Sequence, residues 1–119
     1  SRPHPPILIA GSGERRTLPL VAKYGDACNV RPGPELPRKL EILRIACEAE
    51  GRDYGAIEKT CPWYFDVGED GSKVSDLIEQ LRGFARMGIE TVFGRVSNVH
   101  SITPLEIIGR EVIPAVAEF

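Results

Sequence analysis

The sequence lacks the features that define several classes of protein. No apolar run approaches the ~18 residues that a membrane span requires. The run from Ile7 to Ala10, after a proline-rich start, is too short for a signal peptide. No block of like charge occurs, and 15 Lys and Arg against 17 Asp and Glu leave a net charge of −2. We therefore expect a cytoplasmic protein without nucleic-acid or membrane partners, although a small anionic ligand fits this balance.

Cysteine is also scarce. Cys28, Cys47 and Cys61 show neither a CxxC pair nor a spacing typical of zinc ligands, so we predict reduced, buried thiols. The acidic segment that begins at Asp66 lacks the carboxylate that a calcium loop needs at its twelfth position, where Leu77 stands. Neither a metal site nor a disulfide framework is therefore predicted.

Apolar runs alternate with amphipathic stripes along the 119 residues, which are enough for one core. The predicted order is β-α-β-α-β-α-β-α, with strands beginning near residues 7, 28, 61 and 89. The first strand, Ile7–Ala10, is apolar throughout, which is typical of a strand buried on both faces. The third is placed at Trp63–Val67, with Pro62 at its beginning. This pattern predicts parallel strands joined by right-handed crossovers.

The helices between these strands have recognisable starts and ends. The first begins at either Glu14 or Thr17, and only the second start keeps Pro19 within the first turn, where proline is tolerated. The last is predicted to begin at a capping box, Thr103–Glu106, and to run to about Pro114. The second helix carries a clear apolar stripe, formed by Leu36, Leu40, Leu43 and Cys47.

The length of the chain indicates how many βα units the fold contains. A (β/α)₈ barrel takes about 250 residues, or about 31 per unit, so this chain corresponds to nearly four units. Half of a TIM barrel, as a single domain over residues 1–119, is therefore the predicted α/β fold. An open four-stranded sheet with helices on both faces fits the same order. Because the sequence begins with serine, we expect the natural chain to begin earlier.

The loops after the strands carry the candidate binding residues, because both folds place their sites at the carboxyl ends of the strands. Gly11, Ser12 and Gly13 follow the first strand, where glycines allow close approach of a ligand and the next helix points N–H groups outward. Arg15 and Arg16 add positive charge, and the Ser12 hydroxyl is a further donor. The loop is predicted to bind an anion such as phosphate, while a tight turn with two solvated arginines fits the same residues.

The same loop partly matches the dinucleotide fingerprint GxGxxG. Arg31 stands where a partner for the 2′-phosphate of NADP would lie, but Arg16 occupies the third glycine position. An NADP-binding Rossmann fragment is therefore kept as an alternative. His100 follows the fourth strand on the same side, where a structural role and a ligand hydrogen bond are both open. The sequence identifies no catalytic residue.

Segments along nearly the whole chain resemble one known family. PPILIAGSGERRTL (Pro5–Leu18), followed by VAKYGDACN (Val21–Asn29), looks like the carboxyl-terminal part of luciferase-like monooxygenases. Leu40–Arg52 and the stretch from Asn98 to Pro114 are similar to the same family. The subgroup that the chain most resembles uses the deazaflavin coenzyme F-420.

The resemblance implies the carboxyl-terminal half of a (β/α)₈ barrel from a flavin- or deazaflavin-dependent oxidoreductase or monooxygenase. In such enzymes the glycine-rich loop binds the phosphate of FMN or F-420, which maps onto Gly11, Ser12 and Gly13 with Arg15 adjacent. The full enzyme would transfer hydride, or activate oxygen if the ring is FMN, on a small-molecule substrate and form a homo-oligomer. Residues of the earlier strands hold the ring and the substrate, so this chain alone is expected to be inactive.

Two observations limit what the resemblance implies. Pro19 and Arg31–Pro32 depart from the family pattern, in the first helix and after the second strand. Four βα units with barrel curvature also leave two open strand edges and an uncovered apolar face. A noncatalytic half-barrel that associates with itself is therefore the alternative from a different class of protein.

Overall fold

A computed structural model describes residues 4–97 and 102–119, along which strands and helices alternate. The strands are β1 (Leu8–Ala10), β2 (Ala27–Asn29), β3 (Glu58–Phe65) and β4 (Thr91–Val96). The helices are α1 (Thr17–Tyr24), α2 (Leu36–Glu50), α3 (Val74–Arg86), α4 (Thr103–Ile107) and α5 (Ile113–Val116). A 3-10 turn, Tyr54–Ala56, precedes β3, and a π-helical segment, Ile108–Val112, joins α4 to α5. In these two ranges, no helix has the length and apolar character that crossing a membrane needs.

The four strands form one parallel sheet in the order β1-β2-β3-β4. Leu8 pairs with Ala27, and Ala27 in turn pairs with Glu58. Each step to the next strand passes through a helical segment, as parallel neighbours require. The predicted α/β class and parallel sheet are therefore confirmed.

The chain divides into two compact units, the first ending at Pro62 and the second beginning at Trp63. In the first unit α1 packs against α2, and the predicted apolar stripe of α2 is buried. The core side chains of this unit include Leu18, Val21, Cys28, Val30, Leu36, Leu43, Cys47 and Ile57. The stripe is thus confirmed as the face on which α2 packs.

Local signals set the ends of the first two helices. α1 begins at Thr17, the later of the two predicted starts, so Pro19 falls in the first turn and removes no helical hydrogen bond. α2 ends at Gly51, which has a φ of +67° in the left-handed region. The N–H of Arg52 then donates to the carbonyl of Cys47 at 2.8 Å, which satisfies a carbonyl at the helix end.

The prediction that Ile7–Ala10 is buried on both faces is wrong. Leu8 is 54% exposed, and Ile7 and Ala10 are exposed as well. β1 lies at the edge of the sheet with β2 as its neighbour on one side. An apolar run shows that a strand prefers burial, but the segments that pack on its faces and beside its edges decide whether it is buried.

The third strand begins earlier than predicted. β3 starts at Glu58, and Pro62 lies inside the strand instead of at its beginning. Its pairing with β2 uses residues 58–60, whereas Phe65 accepts the N–H of Ser97 at 3.0 Å further along. Pro62 thus stands between the two paired stretches, where its missing N–H interrupts neither of these contacts.

The second unit packs α3 against the helical residues that follow β4. Its buried core includes Val67, Leu77, Ile107 and Val112. Trp63 of β3 meets the ring of Phe84 edge to face, with 5.0 Å between centroids. The indole N–H of Trp63 donates to Gln80 Oε1 at 3.0 Å, so the ring is fixed at both ends.

The last helix begins at Thr103, as predicted, but differs in two details. Ile102 occupies the N-cap position and no side chain caps the helix, so the predicted capping box with Thr103 as N-cap does not form. The helical residues continue to Val116, beyond the predicted end at Pro114. Pro114 has no N–H to donate to the carbonyl of Arg110, which explains the wider π-helical turn just before it.

Candidate functional site

The loops after β1 and β2 enclose a cleft of about 760 Å³ in the first unit. Ser12 joins the two loops, because its Oγ accepts the backbone N–H of Arg31 at 3.0 Å. The N–H of Gly11 donates to the carbonyl of Asn29 at 3.0 Å, which continues the pairing of β1 and β2 up to the cleft. The polar and glycine residues that line it include Gly11, Ser12, Gly13, Asn29, Arg31, Gly33 and Lys39. The two loops that the sequence predicts on one side of the sheet thus meet there.

Two glycines of this loop make room for a neighbouring side chain. A Cβ at Gly11, whose φ is +126°, would lie 3.1 Å from Thr17 Cγ2, and one at Gly13 would lie 3.0 Å from Thr17 Oγ1. The space above both glycines is therefore filled by the first residue of α1. Packing of the loop on Thr17 is therefore a structural reason for both glycines, besides the approach of a ligand. Gly33, with a φ of +141°, instead has no atom within 4 Å of the Cβ position on its side of the cleft.

The start of α1 offers fewer hydrogen-bond donors than its sequence suggests. The N–H of Leu18 donates to the carbonyl of Gly13 at 2.9 Å, and that of Leu20 donates to Arg16 at 3.0 Å. Pro19, between them, has no N–H. A ligand in the cleft would therefore depend more on side-chain donors than on the amino end of this helix.

Of the cationic residues that the sequence singles out, Arg31 lines the cleft, whereas Arg15 and Arg16 do not. Arg15 is exposed, and among the described residues it lies outside the set that lines the cleft. Arg31 and Lys39 line it. Lys39 was missed, but it lies in the first turn of α2, directly after the second loop, and side chains there are well placed to reach a site formed by that loop.

Glu14 holds Lys39 in place. Lys39 Nζ donates to Glu14 Oε2 at 2.8 Å, and Arg38 donates to Glu14 Oε1 at 3.0 Å. The hydrogen bond from Lys39 is the main reason why the pKa of Glu14 lies below its ordinary value, and Arg38 adds to the effect. Glu14 is therefore ionised at neutral pH and links the first loop to α2 through two cations.

The remaining polar candidates do not form a second site in residues 4–97 and 102–119. Asp66 accepts the N–H of Gly68 at 3.0 Å and pairs with Lys73 at 2.9 Å, and these contacts lower its pKa. Across these two ranges, no group of three or more His, Cys, Asp or Glu residues is arranged to hold a metal ion. His100 lies outside the described residues.

The three cysteines are buried, as predicted, and none of them is in a disulfide bond. Burial raises the pKa of the Cys61 thiol to about 11, and it also raises that of Cys47. Both thiols are therefore protonated at neutral pH and are poor nucleophiles.

A second cavity, of about 700 Å³, lies in the second unit between β4, α3 and the terminal helical residues. Apart from Glu90, the side chains that line it in the described part of the chain are apolar or glycine, among them Leu81, Val92, Val96, Leu105 and Ile113. It lacks the converging polar groups that orient a charged ligand. The cleft between the loops is the better candidate for an anion.

Comparison with known proteins does not assign the chain. No model of a protein family matches it, and no curated protein matches it.

Proposed function

We propose that this chain is the carboxyl-terminal half of a (β/α)₈ barrel from a luciferase-like oxidoreductase, and that it binds the phosphate end of FMN or coenzyme F-420. The cleft between the two loops carries this proposal, because Ser12, Arg31 and Lys39 meet there at the carboxyl ends of two parallel strands. When bound, the cofactor would supply hydride transfer, and this chain would position and neutralise its phosphate.

The order of the strands supports a half-barrel. Consecutive strands are neighbours throughout, and α1 packs directly against α2. Doubly wound folds reverse their strand order, and dinucleotides bind at the point of reversal. The sheet of this protein has no such reversal in its described strands. This arrangement favours the barrel over the NADP-binding Rossmann alternative.

The residues of the cleft suit a phosphate monoester. Its volume of about 760 Å³ falls in the range of small-molecule sites, roughly 300–1,000 Å³. The Ser12 hydroxyl accepts a hydrogen bond from the backbone N–H of Arg31 and can still donate its own hydrogen to a ligand. Arg31 and Lys39 supply the positive charge that a phosphate requires.

Comparing FMN with riboflavin tests the proposal, because the two differ only by the phosphate. We expect the chain to bind FMN at least about tenfold more tightly than riboflavin, and Ser12→Ala to weaken FMN binding by about tenfold through loss of a charge-assisted hydrogen bond. Riboflavin, which lacks the phosphate, should bind weakly to both proteins and should show no effect of the substitution. Quenching of flavin fluorescence measures both affinities.

Ser75→Ala, on α3 and outside the set of residues that line the cleft, is the matched control and should bind FMN as the unaltered chain does. Equal dissociation constants for FMN and riboflavin in the unaltered chain would contradict the proposal.

Self-association is a second candidate function, and the exposed edge of the sheet favours it. Ile7 and Leu8 present apolar side chains at the β1 edge, and Phe93 is exposed on β4 at the opposite edge. Free edges with apolar side chains are typical sites of strand pairing. If this is the function, light scattering at micromolar concentration should show a dimer that Leu8→Lys dissociates and Leu20→Lys, on the exposed surface of α1, leaves intact. A monomer at every concentration would exclude it.

A further inference from the structure

We propose that Lys39 binds the anion in the cleft, and that Glu14 forms an ion pair with Lys39 until a phosphate monoester takes the place of Glu14. This inference rests on the proposed function and adds a binding residue and an internal competitor to the same site. The sequence and the resemblance assign neither role.

The position of Lys39 is the first observation. Its side chain lines the cleft and is only 16% exposed, whereas that of its neighbour Arg38 is 67% exposed. Both side chains end on the carboxylate of Glu14. Lys39 is therefore the member of this trio that lines the cleft, whereas Arg38 is exposed to solvent.

The two oxygens of Glu14 are the second observation. Oε2 accepts from Lys39 at 2.8 Å, and Oε1 accepts separately from Arg38 at 3.0 Å. If Lys39 exchanges Oε2 for a phosphate oxygen, Glu14 keeps its contact with Arg38. The Glu14 carboxylate then still has a cationic partner, so the free-energy cost of the exchange is small. A phosphate monoester also carries more negative charge than a carboxylate and competes well for a lysine.

A purely structural role for the pair predicts the opposite response. If Glu14 only fastens the first loop to α2, its removal loosens the cleft and weakens anion binding. If Glu14 competes with the anion, its removal frees Lys39 and strengthens binding, even though the unliganded protein loses a stabilising contact. Affinity and thermal stability then change in opposite directions.

Calorimetric titration of the 119-residue chain with inorganic phosphate separates these cases. We expect Glu14→Gln to bind phosphate about threefold to tenfold more tightly while its melting temperature falls. Lys39→Met, which keeps the apolar stem, should bind phosphate at least about tenfold more weakly. Glu41→Gln is the matched control, because it removes the same charge from a carboxylate that pairs with Arg44 and does not line the cleft. It should leave the phosphate affinity unchanged.

The results also distinguish this inference from the proposed function. Unchanged or weaker binding by Glu14→Gln, or unaltered binding by Lys39→Met with a native circular dichroism spectrum, overturns the inference even if FMN is preferred to riboflavin. Phosphate binding that depends on Lys39 and strengthens in Glu14→Gln supports it, even if FMN and riboflavin bind equally and the cofactor assignment fails. Absence of phosphate binding in every variant overturns the inference, and the proposed function then stands or falls on the comparison of FMN with riboflavin.

Discussion

Replacing Gly94 with alanine is expected to unfold the second compact unit. A Cβ at this position of β4 would overlap the backbone carbonyl of Trp63 on the neighbouring strand. Backbone atoms cannot rotate away as a side chain does, so β3 and β4 would have to separate. We expect the free energy of unfolding to fall by about 3 kcal/mol or more. Urea denaturation followed by tryptophan fluorescence measures it, because Trp63 is the single tryptophan of the sequence.

Gly83→Ala is the matched control for this substitution. Gly83 lies within α3, and a Cβ there would meet no atom within 4 Å. Alanine is the better helix former, so this variant should gain roughly 0.5–1 kcal/mol. A Gly94→Ala protein as stable as the Gly83→Ala protein would show that β3 and β4 are not packed as described.

Leu43→Ala is expected to have the next largest effect, in the first unit. Leu43 is completely buried on the stripe of α2, so its truncation removes apolar contacts and leaves a cavity. Truncations of this kind cost about 2–5 kcal/mol. Thermal denaturation followed by circular dichroism measures the loss.

Ile45→Ala tests whether the effect depends on the face of the helix. Ile45 lies two residues further along α2 and is 52% exposed, so we expect a loss below about 1 kcal/mol. Equal losses at the two positions would mean that α2 does not pack through the stripe formed by Leu36, Leu40, Leu43 and Cys47.

The elements themselves are largely predictable, because the signals that define them are local. Apolar residues every three or four positions mark the buried face of α2, and Gly51 ends it because a left-handed residue is easiest for glycine. The sequence allowed two starts for α1, and the helix begins at the one that places Pro19 in the first turn, where no helical hydrogen bond is lost. The start of β3 was missed because Glu58, Lys59 and Thr60 are polar. Lys59 and Thr60 are nevertheless buried, and Lys59 Nζ donates to the carbonyl of Tyr54 at 2.7 Å.

The candidate site was only half predictable. The glycines and Ser12 after β1, and Arg31 after β2, identify the two loops of the cleft, because residues that follow parallel strands come together at one edge of a sheet. The pairing of Glu14 with Lys39, 25 positions apart, has no local signature. It depends on how α2 packs against α1, which brings the first turn of α2 to the turn before α1.

The amino-acid sequence by itself determined the α/β alternation, the buried stripe of α2, the buried cysteines and the loops that form the cleft, because each depends on residues close together in the chain. Only the tertiary structure decided that β1 is an exposed edge, that Thr17 fills the space above Gly11 and Gly13, and that Lys39 rather than Arg15 faces the cleft. These properties depend on which distant segments become neighbours, and the periodicity of the sequence does not show which segments these are.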